Sequence, residues 1–402
     1  KGTTILSITT APTSSSAATA KSVLDAAFPA GLGAFVDGRV ATGGGDSITL
    51  TAAATGEPFA TYADPGAEGA DAILQSATAG AAAWGRLNGF ERAAILRNVS
   101  RAVERHAEEL AILESATTGK PIRDARAEDA KVAEMFGYYA GWADKLTGQT
   151  IPVPGNWHTY TERVPWGVVV AITPWNAPLF TAGWNSAAPL AAGNAVIIKP
   201  SEFTPASSVR LAQIAHEAGL PAGVFNVAAG LGQTVGAALT TDPRVGKVSF
   251  IGSVPTGRRV AVAAAQAGIP ALLELGGKSA NIVFADADLE RAAEGAISAI
   301  FSGAGQSCVA GSRLLVERSV HAEFVQMVAA KAARLRVGDP LDADTEVGPI
   351  ITPQQFATVS GLIEAGMADG GRRLTEAALP ETLSGSALKG GHWVMPTLLD
   401  GV

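Results

Sequence analysis

An α/β fold built on a doubly wound parallel sheet, followed by a second α/β unit, is what this sequence predicts, and three observations carry the prediction. Four short runs are apolar along their whole length and rich in β-branched residues, as strands buried on both faces must be. They are GVVVAIT (167–173), AVIIK (195–199) and the stretches 224–228 and 245–251. Helical patterns separate them at 178–192, 205–218, 233–240 and 256–267. The alternation then resumes after residue 277, with SANIVFA as a strand and 312–317 as another. Between these two, Leu289, Ala292, Ala293, Ala296, Ile297, Ile300 and Phe301 recur at helical spacing behind a cap at Asp286 or Asp288. A further helix is predicted over 321–335.

Length and composition agree with this. The 402 residues suffice for two domains, each with its own core, and 47% hydrophobic with 17% charged residues suits a large buried interior. A net charge of −7 argues against nucleic acid or an anionic membrane as partner. No apolar run approaches the about 20 residues that cross a bilayer. The single cysteine forms no internal disulfide, so a reducing, cytoplasmic location is expected. Five scattered histidines and one cysteine offer no metal-ligand spacing, and no metal is expected.

Residues 1–33, rich in Thr, Ser and Ala, lack the long apolar core of a signal peptide and the arginines of a transit peptide; a disordered or tag-like tail is expected. Order is expected from residue 34, with two short strands, FVDGRV and ITLTAAATGEPFATYA, around Gly43-Gly44-Gly45. From 67 to 146 the pattern is helical: Ala94, Ile95, Val99, Ala102 and Val103 recur between charged residues, and Gly119 then Pro121 end that part. His106 reads as a solvated residue of this helix. The stretch 149–164, QTIPVPGNWHTYTERV, reads as an exposed two-stranded excursion: either a contact with another chain or a simple surface hairpin.

Ligands of a doubly wound sheet bind at the carboxyl ends of its strands. Here those ends carry TPWNAP, KPSE, GLGQTVG and GSVPTG. Gly230-x-Gly232-x-x-x-Gly236 and Gly252-x-x-x-x-Gly257 follow a strand and open a helix, where backbone N–H groups can approach a phosphate; each reads equally as a tight turn without ligand. Lys199 and Glu202 in Lys-Pro-Ser201-Glu can bond two ribose hydroxyls, with the carboxylate repelling a 2′-phosphate, or form an ordinary pair at a helix start. Asn176, with a proline two residues away on each side, can donate to an oxyanion or be a turn asparagine. The stretch from Leu273 to Arg313 holds Cys308 in GAGQSC and Glu274 in an apolar, glycine-rich phrase. A thiol can attack a carbonyl, and a carboxylate among apolar groups can serve as a general base. A lone cysteine can also be an inert small hydrophobe, but the glycine-rich approach speaks against a core position.

Taken together, LELGGKSANIVF, GQSC, PWN, KPSE and the Gly-x-Gly-x-x-x-Gly turn, spread along residues from about 35 to 402, resemble the aldehyde dehydrogenase superfamily of the NAD(P)-dependent hydrolytic type. The resemblance implies a cofactor-binding domain over 34–276, with 149–164 as its oligomerisation hairpin, and a catalytic domain over 277–402. It implies Cys308 as nucleophile, Glu274 as base, and Asn176 with the Cys308 N–H as oxyanion donors. Ile172, Thr173, Trp175, Lys199, Ser201, Glu202, Gly230, Gly232, Phe250, Gly252, Ser253, Leu275 and Gly276 correspond to cofactor-binding positions, and Glu202 favours NAD over NADP. The expected reaction attacks the aldehyde with the Cys308 thiolate, passes hydride to NAD, and hydrolyses the thioester with water activated by Glu274. A homodimer or homotetramer is expected.

Departures from the family pattern shape the expectations. Ile251 stands where threonine is usual, Asn185 where lysine is common, and Gly303-Ala304 where Asn-Gln is frequent. Ala177 follows Asn176 where many members carry a large aromatic, which predicts room for a bulky or aromatic aldehyde. The family's Glu-x-Phe-Gly-Pro phrase is not found after Leu399, so the catalytic domain is expected to lack its C-terminal end. Two other readings compete: a CoA-acylating relative, which would not need Glu274, and a non-catalytic structural protein that keeps the fold.

Overall fold

The computed structural model describes residues 16–385 and 387–402. At its centre lies a seven-stranded sheet in the order Ala271–Leu275, Val245–Gly252, Val168–Ile172, Ala195–Lys199, Phe225–Val227, Ala34–Val36, Arg39–Ala41. The first five strands are parallel and the last two fold back antiparallel. The central strands are apolar throughout because both faces are covered. Val168, Val170, Ala195 and Ile197 pack with Ile73, Leu74 and Ala77 of helix Gly66–Trp84. Their alternates Ala171, Val196 and Ile198 join a second core with Leu96, Leu113, Phe136, Leu179 and Leu190 from the helices on the other side.

Local chemistry sets the helix limits. Asn88 and Glu91 form a reciprocal capping box at the start of Gly89–Arg105: Asn88 Oδ1 accepts from Phe90 N and Glu91 N, and Glu91 Oε2 accepts from Asn88 N at 2.8 Å. Helix Ala107–Thr118 stops at Gly119, whose φ of 79° is left-handed and whose missing Cβ would lie 2.9 Å from Pro349 Cγ. The chain then re-enters a helix at Ile122–Ala140. This helical pair packs on the helices that cover the sheet and reaches the site described below through Glu114 and Asp124.

The second α/β unit pairs Ala280–Val283 with Arg313–Val316 in parallel. Helices Leu289–Phe301 and His321–Ala332 cover one face through Val283, Ala293, Ala296, Phe324 and Val328. Ile282, Phe284 and Leu315 are more than half exposed. Asp288, one of the two expected caps, accepts from Arg291 N.

Four expectations need correction. Within the expected tail, residues 1–15 lie outside the described residues, but Ser16–Ala27 is a helix that buries Ala20, Val23, Leu24 and Ala27, with Phe28 and Leu32 buried after it. The stripe recurs at three and four residues, which overrides the Ser/Thr-rich composition. FVDGRV is a complete hairpin by itself, turning at Asp37 and Gly38 with φ of 52° and 76°, and a second hairpin joins Ser47–Thr51 to Pro58–Ala63. His106 is half-buried, its ring nitrogen 2.7 Å from Glu109 Oε2. Residues Gly232–Gly236 form a π-turn before the short helix Ala237–Thr241, where the pattern predicts a single helix. In the 149–164 segment, Thr150–Ile151 and Thr159–Tyr160 pair antiparallel, with Trp157 81% exposed.

Candidate active site

Strand register brings the predicted cofactor residues to one edge. Lys199 pairs with Ile172, Ile172 with Phe250, and Phe250 with Leu273, forming a row across four parallel strands. One step further, Thr173 N donates to the Lys199 carbonyl and Gly276 N to the Gly252 carbonyl. Ser253 caps helix Val254–Gln266, its hydroxyl accepting from Thr256 N, so an exposed helix N-terminus faces this edge. Gly257 lets that helix approach, since a Cβ there would lie 2.5 Å from Leu275 Cδ2.

Lys199 is buried, and its Nζ lies 3.8 Å from Glu202 Oε2. Burial lowers the Lys199 pKa, and the Glu202 and Asp64 carboxylates oppose that shift. The buried Ser201 hydroxyl accepts from Phe203 N and donates to Glu202. Tyr62 donates to the Glu202 carbonyl at 2.9 Å. Burial, then Glu202, then Asp64 push the Tyr62 pKa up, so it stays a donor. Asp64 holds the glycine turn: Oδ1 accepts from Leu231 N and Oδ2 from the Thr234 hydroxyl at 2.6 Å. Gly230 has no room for a side chain, because a Cβ would lie 2.2 Å from Asp64 Oδ1. The Lys199 stem passes 3.8 Å from where a Gly236 Cβ would stand, so Lys199 lies against the end of the glycine turn, whereas a Cβ at Gly232 would meet open space.

Asn176 and Cys308 come together through the backbone between them. Asn176 Nδ2 donates to the Gln306 carbonyl at 2.7 Å, two residues before the cysteine. An amide nitrogen carries two N–H groups, which leaves one for a ligand. Cys308 is exposed, as the glycine-rich approach predicts. Trp175 is half-buried in the loop that carries Asn176.

Glu274 departs from its expected surroundings. It stands on the edge strand Ala271–Leu275 and is exposed. Leu273 and Leu275 pack against the core on the opposite face, while Leu272, which shares its face, is 49% exposed. The apolar neighbours in the sequence therefore do not enclose this carboxylate.

Several residues that build the site carried no signal in the sequence. Asp64 and Tyr62 hold groups far along the chain, at Leu231, Thr234 and Glu202. Asp124 Oδ2 accepts from Gly303 N at 2.9 Å. Gln306 braces its own loop, with Oε1 accepting from Ile351 N and Nε2 donating to the Pro349 carbonyl. The buried Glu114 accepts from Leu179 N, at the start of the helix that follows Asn176, and from the Ser207 hydroxyl at 2.8 Å.

A family model described as the aldehyde dehydrogenase family matches residues 40–402. The chain belongs to this family. Its members oxidise aldehydes, and this chain is an enzyme of that kind. A betaine aldehyde dehydrogenase of Cereibacter sphaeroides is 44% identical over 340 residues, 84% of this chain and 70% of that protein. Among solved structures, PnpE in complex with nicotinamide adenine dinucleotide superposes with a TM-score of 0.88 at 39% identity, over 92% of this chain and 75% of that one. HpcC from Thermus thermophilus superposes with a TM-score of 0.90 at 39% identity, over 95% and 75%. The aldehyde dehydrogenase from Bacillus cereus in its NAD+ complex gives 0.89 at 34% identity, over 94% and 77%. The α/β architecture is thus that of the family. No helix among the described residues is long and apolar enough to cross a membrane, and no group of three or more His, Cys, Asp or Glu among them could hold a metal ion.

Proposed function

We propose that this aldehyde dehydrogenase uses NAD to oxidise a bulky aldehyde to its carboxylic acid through a thioester on Cys308. The observation that carries the reading is the Asn176–Gln306 hydrogen bond, which places an amide donor beside the loop of an exposed thiol. In this reading residues 34–276 form the cofactor-binding domain, which also contributes Asn176 and Glu274, and 277–402 form the catalytic domain that carries Cys308. NAD, when bound, supplies the hydride acceptor. The carboxyl edge fits it: a buried lysine beside Glu202, a capped helix N-terminus at Ser253, and the buried Thr173 hydroxyl, which has no partner of its own. Ile172, Trp175, Phe250, Gly252, Leu275 and Gly276 line the same edge, and complexes of PnpE and of the Bacillus cereus enzyme with NAD support the assignment.

The chain's own groups then divide the work. Cys308 attacks the carbonyl, and the free N–H of Asn176 with the Cys308 backbone N–H holds the oxyanion. Glu274, open to solvent at its strand end, takes the proton of the water that opens the thioester. An exposed catalytic thiol needs a reducing compartment, which supports a cytoplasmic location. Phe180 and Trp184, with ring centroids 5.8 Å apart on the helix after the small Ala177, offer aromatic faces to an aromatic or quaternary-ammonium aldehyde, the latter as the name of the Cereibacter relative implies. The exposed Trp157, Tyr160 and Val164 support the 149–164 hairpin as a contact between copies in a homodimer or homotetramer.

NADH formation over a panel of acetaldehyde, benzaldehyde and betaine aldehyde, with and without CoA, tests the whole reading. Cys308→Ala is expected to abolish turnover, and Glu274→Gln to give one burst of NADH per site and then stall. A preference for acetaldehyde removes the bulky-substrate reading, and strict dependence on CoA removes hydrolysis.

A further inference from the structure

We infer that Asp124 is a positioning residue for the Cys308 loop, acting through the Gly303 N–H. The inference rests on the reading of Cys308 as nucleophile and assigns the loop's shape to a carboxylate outside it. Helix Leu289–Phe301 ends, Ser302 is extended, and Gly303, Ala304 and Gly305 follow with φ of 58°, 57° and 72°. Three successive left-handed residues, one with a side chain, do not hold themselves: an L-residue disfavours this region and glycine has many alternatives. The loop must be pinned from outside.

Its pins are specific. Upstream, Asp124 Oδ2 accepts from Gly303 N at 2.9 Å. Gln306 N donates to the Gly303 carbonyl, so the position of Gly303 passes directly to Gln306. Gln306 is held by Pro349 and Ile351, and its own carbonyl receives the Asn176 amide. Beyond the cysteine, Gly311 N donates to the Ala299 carbonyl. Asp124 is therefore the side-chain pin at the start of the left-handed run itself. It stands in the first turn of Ile122–Ala140, where a carboxylate is favoured by the helix dipole. Its side chain is only 20% exposed, and its other oxygen lies 3.6 Å from Arg123 Nε. A shift at Gly303 displaces both the Gln306 carbonyl that seats Asn176 and the approach to Cys308. Asp124 thus governs nucleophile and oxyanion donor together, without touching substrate.

Asp124→Ala and Asp124→Asn test this in the full chain. The amide oxygen of asparagine can still accept the Gly303 N–H. Asp124→Ala is expected to lower kcat about tenfold or more, since small misplacements of reacting groups are costly, while KM for NAD changes less than about twofold. Asp124→Asn should stay within about threefold of the parent. Hydrogen exchange of the peptide spanning 299–310 should quicken in the alanine variant and match the parent in the asparagine variant. Equal losses in both variants, or unchanged exchange in Asp124→Ala, would overturn the assignment. Cys308→Ala separates the two readings: turnover surviving there removes the nucleophile, while the exchange measurement still reports whether Asp124 holds the loop.

Discussion

Replacing Asp129 by asparagine should stabilise the protein, and increasingly so as pH rises. Asp129 lies on helix Ile122–Ala140 with 0% of its surface exposed, and neither carboxylate oxygen has a hydrogen-bond partner. Burial pushes its pKa up from 3.8 to about 9; the Glu114 carboxylate adds to this, Lys120 opposes it, and Glu128 and Glu108 add smaller pushes. At neutral pH the folded protein therefore carries Asp129 protonated, while the unfolded chain carries it ionised. The folded state binds the extra proton, so stability falls by about 1.4 kcal/mol per pH unit from roughly pH 4 up to the folded pKa. At pH 7 that loss reaches about 4 kcal/mol. Asparagine has the same shape and does not titrate. Leaving its amide unpaired costs about 1–3 kcal/mol, much as the unpaired acid does now, so a net gain of about 1–4 kcal/mol is expected at pH 7. Guanidinium unfolding of both proteins at pH 6, 7 and 8 measures it, with other titrating groups common to the two curves. The gap between them should widen by about 1.4 kcal/mol per unit. Parallel stability profiles, or a variant less stable at every pH, would refute the protonated, unpartnered carboxylate.

Two further outcomes follow from single contacts. Trp84 is fully buried and its Nε1 donates to the Leu190 carbonyl at 2.7 Å; that carbonyl also accepts from Gly193 N, so Trp84→Phe removes one bond without orphaning it, opens a small void and should cost about 1–3 kcal/mol in the same unfolding assay. Glu202 presents its carboxylate 3.8 Å from Lys199 Nζ at the cofactor edge, and Glu202→Ala should raise the NADP-to-NAD ratio of kcat/KM at least about tenfold; an unchanged ratio would count against its place beside the ribose.

What the sequence discloses here follows the range of the force involved. Val168–Ile172, Ala195–Lys199 and Val245–Gly252 are legible because burial on both faces demands an unbroken apolar run, and the cap is legible to within two candidates, Asp286 and Asp288, because capping acts over three residues. The helix Ser16–Ala27 carries its stripe openly in Ala20, Val23, Leu24 and Ala27, but the Ser/Thr-rich composition around it masks the spacing. Glu274 shows the opposite error. Its leucine neighbours in sequence suggest apolar surroundings, yet a strand sends residues 273 and 275 to the face that 274 does not occupy.

The site divides in the same way. Asn176, Lys199, Glu202 and Cys308 announce themselves in short motifs, because turn geometry and strand ends are local. The groups that hold them do not: Asp64 reaches Thr234 across 170 positions, Tyr62 reaches Glu202 across 140, and Asp124 reaches Gly303 across 179. Each is a single hydrogen bond, worth about 1 kcal/mol and invisible to any periodicity. Gly303-Ala304-Gly305 makes the consequence concrete. In sequence it is a flexible approach to a thiol, but in the fold its left-handed course is pinned at Gly303 and Gln306 from helices and loops on both sides. The shape of this loop thus rests in part on a residue, Asp124, that lies outside the recognisable motifs.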